Sequence, residues 1–175
     1  LMPFSAFAAG SVGFTVSIDK ASAKAGEFVV ATVGIKNDTN SKVTVGCSQF
    51  TLTYDKNVLT PTKTGTSPFK NLAYTTTGTT VQEEDLDWSI SYGNRTPGLV
   101  AIAISSSAGM SCDIEASQQI TVARIAFRVA EDVESTTTAI AFNANSDNLA
   151  FTEDPNVGID GVTADDIASF VINGV

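Results

Sequence analysis

The fold of this chain is decided by two consecutive strand patterns, FTVSIDKASAKAGEFVVATVGIKND (residues 14–38) and VGCSQFTLTYDKNVL (residues 45–59). In the second pattern three apolar residues alternate with three polar ones, Phe50, Leu52 and Tyr54 with Gln49, Thr51 and Thr53. This alternation predicts a strand with an apolar face turned inward and a polar face turned outward. Asp55 and Asn57 end the strand, because their side chains hydrogen-bond their own backbone in turns.

Gly-rich and polar clusters divide the rest of the chain into short segments of the same kind. We predict nine strands, at residues 14–19, 28–36, 46–54, 58–63, 86–92, 98–106, 120–130, 137–143 and 168–173. Many short strands at such spacing are typical of a sandwich, so we predict an all-β, nine-stranded β-sandwich with jelly-roll topology. At most a short helical turn is expected, at residues 114–119, and residues 64–87 are interpreted as a long connection.

Several separate pieces of the sequence follow one another in a recognisable order. They are an opening strand, a Lys-x-Gly element, a strand closing in Lys-Asn, an aromatic-Asp pair followed by Asn-Val-Leu, and a closing strand: Val16 to Ala23, Lys24 to Gly26, Val29 to Asn37, Tyr54-Asp55 with Asn57 to Leu59, and Ser169 to Val175. In this order they resemble the cohesin modules of cellulosomal scaffoldins. The resemblance covers most of the chain except residues 61–86, and it implies a module that binds a dockerin.

Length and charge limit the possible classes of protein. The chain has 175 residues, enough for one domain with its own core. The net charge of −9 argues against nucleic-acid binding, which needs clustered Lys and Arg, and the few basic residues here are scattered. No run approaches the roughly 20 apolar residues of a membrane span, so no membrane insertion is expected.

The first ten residues, LMPFSAFAAG, contain the small-x-small pattern of a signal-peptidase site at Ala6 to Ala8. We interpret residues 1–10 as a signal-peptide remnant or disordered terminus and residues 11–175 as a single cohesin-like domain. An ordinary apolar strand or a cloning remnant is the alternative. The prediction is a secreted protein, extracellular or associated with the cell surface.

Two cysteines, Cys47 and Cys112, lack the close spacing of zinc or CxxC redox motifs. The cohesin resemblance places the strand of Cys47 beside residues 99–106, whose end leads to Cys112. It thereby implies a disulfide, which would stabilise the fold by about 2–4 kcal/mol. Two unpaired thiols are the alternative.

Catalysis is not expected, so the chain is predicted not to be an enzyme. It has no histidine, which excludes Ser-His-Asp and Cys-His machinery. Paired carboxylates could still hydrolyse glycosides. The acidic cluster Glu83, Glu84, Asp85 and Asp87 is interpreted instead as a solvated loop edge.

The acidic segment 153–166 is compared with a calcium-binding loop, which needs alternating oxygen ligands, Gly at position six and an acid at position twelve. Counting from Asp154 puts Ile159 at the sixth position, and counting from Asn156 puts Ile167 at the twelfth. We interpret the segment as a turn before the last strand, with a calcium site as the alternative. The resemblance places calcium on the dockerin, so this chain is expected to hold no metal and no cofactor.

The resemblance also implies the docking site, on the outward face of the third, fifth, sixth and eighth strands. On the strand taken as the eighth, Ile125, Phe127 and Val129 alternate with Arg124, Ala126 and Arg128. The predicted dockerin-binding residues are Gln49, Thr51, Thr53, Tyr92, Leu99, Ala101, Ala103, Ser106, Gly109, Arg124 and Arg128. Cys47 and Ser106 depart from the family pattern, because polar hydrogen-bonding and acidic residues are usual there.

The expected partner is a dockerin borne by an enzyme or another scaffoldin, and the chain itself is expected to be a monomer. The main alternative is a carbohydrate-binding module, which needs exposed aromatic platforms. Trp88 is the only tryptophan, and its alternation with Ile90 suggests burial. A structural adhesin or pilin-like domain is a third possibility, for which only the pairs Lys36-Asn37 and Lys56-Asn57 are suggestive.

Overall fold

A computed structural model describes residues 10–61, 73–76, 79–82, 88–93, 96–106 and 111–175. These residues form only strands, turns and loops. They therefore contain no helix that is long and apolar enough to cross a membrane. The strands are β1 Val12–Ile18, β2 Ser22–Lys24, β3 Phe28–Asn37, β4 Val43–Val45, β5 Cys47–Thr53, β6 Leu59–Pro61, β7 Ala73–Thr76, β8 Thr79–Gln82, β9 Trp88–Gly93, β10 Leu99–Ser106, β11 Cys112–Ile114, β12 Gln119–Val129, β13 Thr136–Phe142, β14 Leu149–Phe151 and β15 Ile167–Asn173.

The strands pair into two large sheets and one small ribbon. The first sheet has the order β1-β3-β12-β7-β8, with β6 also paired to β12. The second has the order β2-β15-β13-β5-β10-β9, with β14 also paired to β5, and β4 and β11 form the ribbon. These pairings are antiparallel except that between β15 and β2. The all-β sandwich prediction is confirmed, and each of the nine predicted strands is present over a similar range.

Six short strands were not predicted, namely β2, β4, β7, β8, β11 and β14. Each has three or four residues, too few to establish a period. Residues 114–119 form no helix: the backbone N–H of Gln118 donates to the carbonyl of Glu115 in a turn. Within residues 64–87, the described part is the hairpin of β7 and β8, which joins the first sheet at Thr121.

The core lies between the inner faces of the two sheets. Phe14 from the first sheet packs against Phe50 and Phe142 from the second, with ring centroids 5.6 and 5.7 Å away. Phe50 and Phe142 are 6.1 Å apart in an edge-to-face arrangement. Aromatic pairs at such distances add about 0.5–1.5 kcal/mol each to the free energy of area burial. The three rings therefore fix how the second sheet sits on the first.

Two buried polar residues differ in how well they are satisfied. Asn37 donates its amide to the carbonyls of Ser41 and Ile114, at 2.8 and 2.9 Å, and accepts from Thr39. Ser48 is only 2% exposed on β5, and its hydroxyl has no hydrogen-bond partner among the described residues. An unsatisfied buried hydroxyl destabilises the folded state.

Ser48→Ala should therefore raise the free energy of unfolding by about 1 kcal/mol, because it removes a buried polar group without a partner. Urea denaturation at constant m-value measures the change. Ser169→Ala, at an exposed serine of β15, is the matched control and should stay within about 0.5 kcal/mol of the parent. A loss of stability in Ser48→Ala would show that the hydroxyl is hydrogen-bonded in the native protein.

Candidate binding face

The outer surface of the second sheet is the candidate site, and its orientation follows from the alternation in β5. Phe50 and Leu52 are buried, whereas Gln49, Thr51 and Thr53 are half-exposed on the other side. The inward and outward assignment predicted for this strand is confirmed.

The neighbouring strand β10 shows the same alternation in register. Leu99, Ala101 and Ala103 lie outward and pair with Thr53, Thr51 and Gln49 respectively. Val100, Ile102 and Ile104 point into the core and are buried. Short side chains thus line the centre of the sheet, so another backbone can approach it closely.

The strand on the other side of β5 is β13, followed by β15. Ala141 pairs with Thr53, and Ile167 pairs with Ala141, so one transverse row runs from β10 through β5 and β13 to β15. The row consists of Leu99, Thr53, Ala141 and Ile167. Its ends are about 14 Å apart, since neighbouring strands lie roughly 4.8 Å from each other.

Sequence reasoning placed the wrong strand in this sheet. Arg124 and Arg128 lie on β12, which pairs with β3 in the first sheet, so their assignment to the docking face is wrong. The strand at residues 120–130 is the seventh of the nine predicted strands, whereas the eighth, at residues 137–143, corresponds to β13 and does lie in the second sheet. Arg128 instead pairs with Glu131 and lies over the ring of Phe28, with its guanidinium carbon 5.9 Å from the centroid.

Three other predicted residues lie at or beyond the described part of the site. Tyr92 is on β9 opposite Ile102, and Ser106 ends β10 opposite Trp88, but the side chains of these two predicted residues are outside the described residues. Gly109 lies wholly outside them.

The short strand β14 adds residues that sequence reasoning missed. Leu149 pairs with Gln49, and Phe151 pairs with Cys47, so both occupy outward positions beside β5. Three residues are too few for a periodic signal. The only hint is the apolar run Leu149-Ala150-Phe151 after an Asn-rich loop.

The loop 143–148 interrupts the ladder between β13 and β14, and Asn148 repairs the gap. Its side-chain oxygen accepts the backbone N–H of Thr51 at 3.0 Å. Its side-chain nitrogen donates to the carbonyls of Asn143 and Ser146, at 3.1 and 3.2 Å. The side chain of Asn148 therefore supplies a hydrogen-bond acceptor for the backbone of Thr51 in the middle of β5, where the loop 143–148 turns away from that strand.

We use the term flat face for the described outward residues of β5, β10, β13, β14 and β15. They are Cys47, Gln49, Thr51, Thr53, Leu99, Ala101, Ala103, Thr137, Ala139, Ala141, Leu149, Phe151, Ile167, Ser169, Val171 and Asn173. None of these side chains is charged, although the whole chain carries a net charge of −9. The flat face is thus a wide neutral surface on an acidic protein.

Lys24 on β2 and Asp166 before β15 border the flat face, and two further charged side chains lie in the ribbon of β4 and β11. Asp113 accepts hydrogen bonds from the hydroxyl of Thr44 at 2.7 Å and from Lys42 at 3.0 Å. These two contacts, that of Thr44 first, hold the pKa of Asp113 below its ordinary value. They stabilise the carboxylate at the edge of the ribbon.

Cys47 and Cys112 are both free thiols in this structure, so the disulfide predicted between them is not formed in it. Cys112 pairs with Val45 in the ribbon, whereas Cys47 belongs to β5 and pairs with Phe151. Burial raises the pKa of the Cys112 thiol to about 11, and the negative charge of Asp113 adds to this effect.

The acidic segment before β15 forms turns. One carboxylate oxygen of Asp154 accepts the backbone N–H of Asn156 at 2.9 Å and its side-chain nitrogen at 3.1 Å. Asp166 accepts the backbone N–H of Val16 at 2.9 Å and so fastens the segment to β1. Across the described parts of the chain, no group of three or more acidic or Cys side chains is arranged to hold a metal ion.

Comparison with known proteins agrees with this architecture. The family model of the cohesin domain matches residues 14–169, so the chain belongs to the cohesin family. This match favours the docking interpretation over a carbohydrate-binding module. No curated protein matches the chain.

Solved structures give the same fold. A type II cohesin domain from the cellulosome of Acetivibrio cellulolyticus is 24% identical, with a TM-score of 0.60 over 94% of this chain and 96% of that one. The cohesin of a type II cohesin–X-dockerin complex from the same organism is 20% identical, with a TM-score of 0.62 over 94% of this chain and 100% of that one. The chain also covers 48% of a type II cohesin dyad, at 22% identity and a TM-score of 0.61 over 94% of this chain.

Asn148→Ala should destabilise the second sheet by about 1–3 kcal/mol, because the half-buried side chain makes three hydrogen bonds that the variant loses. Thermal unfolding measures the loss, and hydrogen exchange at the Thr51 amide should accelerate. Asn145→Ala, at an exposed side chain of the same loop, is the control and should leave both unchanged. Unchanged exchange at Thr51 in Asn148→Ala would contradict the role given to this amide.

The thiol of Cys112 should react slowly with iodoacetamide in the native protein. A pKa of about 11, against an ordinary 9.0, lowers the thiolate fraction at pH 8 about 100-fold. Peptide mass spectrometry after timed alkylation measures the rate, with the guanidinium-unfolded protein as the control. An intact mass two hydrogens lighter, with alkylation only after reduction, would instead establish the disulfide.

Proposed function

We propose that this chain is a non-catalytic docking module that binds a calcium-loaded dockerin on the flat face and so assembles or anchors a cellulosome. Membership of the cohesin family supports the class of function. The observation that carries the assignment to this surface is the neutral, short-side-chain floor formed by β5 and β10. The cohesins of several similar structures were solved in complex with dockerins.

The flat face suits a helix laid across it. Ala101 and Ala103 give close approach, while Gln49, Thr51 and Thr53 offer hydrogen-bonding groups one strand away. Because these residues belong to strands of a packed sheet, they need not reorder on binding, and little conformational entropy is lost. An interface of about 1,200–2,000 Å² in total is expected.

The predicted dockerin-binding residues differ in how well their positions in the fold support a role in binding. Leu99, Ala101, Ala103, Gln49, Thr51 and Thr53 form its centre, and Ala139, Ala141 and Leu149 join them. Gly109, which follows β10 in the sequence, remains a proposed contact. Tyr92 pairs with the inward residue Ile102, and Ser106 follows the inward Ile104 by two residues, so their register positions belong to the inner side of the sheet. Arg124 and Arg128 are removed, since they lie on the first sheet.

In this proposal the chain itself carries no catalytic activity and no cofactor. Cohesins are interaction modules, and this chain has no histidine for nucleophilic or general-base catalysis. Calcium would be bound by the dockerin. The module would act outside the cell, as a secreted or surface-associated monomer.

Ala101→Arg should weaken dockerin binding by about 100-fold or more, because it puts bulk and an unpaired charge in the centre of the flat face. The melting temperature should hardly change, since Ala101 is exposed. Ser17→Arg introduces the same side chain on the outer side of β1, in the first sheet, and is the control.

Isothermal titration calorimetry against a panel of dockerins, with calcium and with chelator, measures the affinity. Soluble cellulose and xylan oligomers are titrated beside them. Full binding by Ala101→Arg would exclude the flat face, and tight binding of an oligosaccharide would favour a carbohydrate-binding module instead.

A further inference from the structure

The last strand, β15, adds a fourth strand to the width of the flat face, beside β13, β5 and β10. β15 pairs with β13 over six residues, from Thr136 opposite Ile172 to Ala141 opposite Ile167. Its inward residues Ala168, Phe170 and Ile172 are buried in the core. Its outward residues therefore continue the surface formed by β13, β5 and β10.

Two of these outward residues are large and exposed. The exposed fraction is 61% for Ile167 and 44% for Val171. Of the six large apolar residues that are exposed in the described parts of the chain, these two and Leu149 lie on the flat face. Covering these side chains with a partner removes apolar surface from water, which favours binding.

The outward side chains between Ile167 and Val171, and those opposite them on β13, are uncharged. Ile167 and Val171 are four residues apart on one strand, about 13 Å, with Ser169 between them. Their cross-strand neighbours on β13 are Ala141 and Thr137. A partner that covers the middle of β15 therefore meets uncharged side chains, whereas Asp166 before Ile167 and Lys24 beside Asn173 lie at the two ends of the strand.

The width of the flat face across β10, β5, β13 and β15 fits a pair of helices better than a single helix. The two strands β5 and β10 alone span roughly 10 Å, the diameter of one helix with its side chains. Two packed helices have axes 8–10 Å apart and cover about 20 Å. The four strands β10, β5, β13 and β15 provide that width.

We propose that Ile167 and Val171 are specificity-determining residues of the docking face, which select a dockerin whose helix above β15 presents aliphatic side chains. This inference rests on the proposed function. A second copy of the chain is the less suitable occupant, because both copies would carry a net charge of −9 and repel each other. Two aliphatic side chains are also far from the roughly 1,000 Å² that a stable dimer needs.

The test compares the double variant Ile167→Thr with Val171→Thr against the parent domain. Threonine keeps the β-branched shape that strands favour and removes only the apolar surface. The probes are calcium-loaded dockerins from the Acetivibrio cellulolyticus and Pseudobacteroides cellulosolvens systems. Val30→Thr, at an outward position of β3 in the first sheet, is the matched control.

The double variant should weaken dockerin binding about 10-fold or more at an unchanged melting temperature, and Val30→Thr should not. Parent-like binding by the double variant, while Ala101→Arg abolishes it, would overturn this inference and leave the proposed function standing.

Two further outcomes are decisive. If no dockerin of the panel binds the parent domain, both the inference and the proposed function fail. If sedimentation shows a parent dimer that the double variant loses, a second copy occupies the strip and the inference is wrong.

Discussion

The rest of the structure depends on the packing of two inner faces, where Phe14 of the first sheet meets Phe50 and Phe142 of the second. Because successive residues of a strand point to opposite sides, burying one face commits the other to solvent. A shift of β5 by one residue would put Gln49 and Thr51 into the core at a large desolvation cost. The core thus fixes which residues form the flat face, although none of the flat-face residues takes part in the contacts among the three rings.

The flat face combines features that suit recognition by shape. Its central side chains are short, its described members are uncharged, and its strands are held by ladders on both sides of β5. Asn148 closes the gap in the ladder between β5 and its neighbours β13 and β14. Its side-chain oxygen accepts the backbone N–H of Thr51, so the loop 143–148 can leave the sheet without leaving that N–H unpaired. A surface of this kind discriminates between partners by fit and apolar contact, while charge-dependent selection would have to come from its rim.

Sequence reasoning recovered the long strands and much of the site. Alternation over seven or more residues located β5 and β10, and it correctly turned Gln49, Thr51, Ala101 and Ala103 outward. It failed for β14, whose three residues carry no period, and for the sheet membership of β12. The disulfide prediction also relied on strands being neighbours, and the free thiols of Cys47 and Cys112 differ from it.

The sequence by itself determined the fold class, the family and the inner and outer sides of β5 and β10, because these follow from local periodicity and residue order. Only the tertiary structure decided that β15 extends the flat face, that Arg124 and Arg128 lie on the opposite sheet, and that Asn148 binds the backbone of Thr51 from 97 residues away. The physical reason is that strand pairing is a long-range choice: backbone hydrogen bonds are the same for every partner strand. The choice depends on the summed fit of many side chains that are distant in sequence.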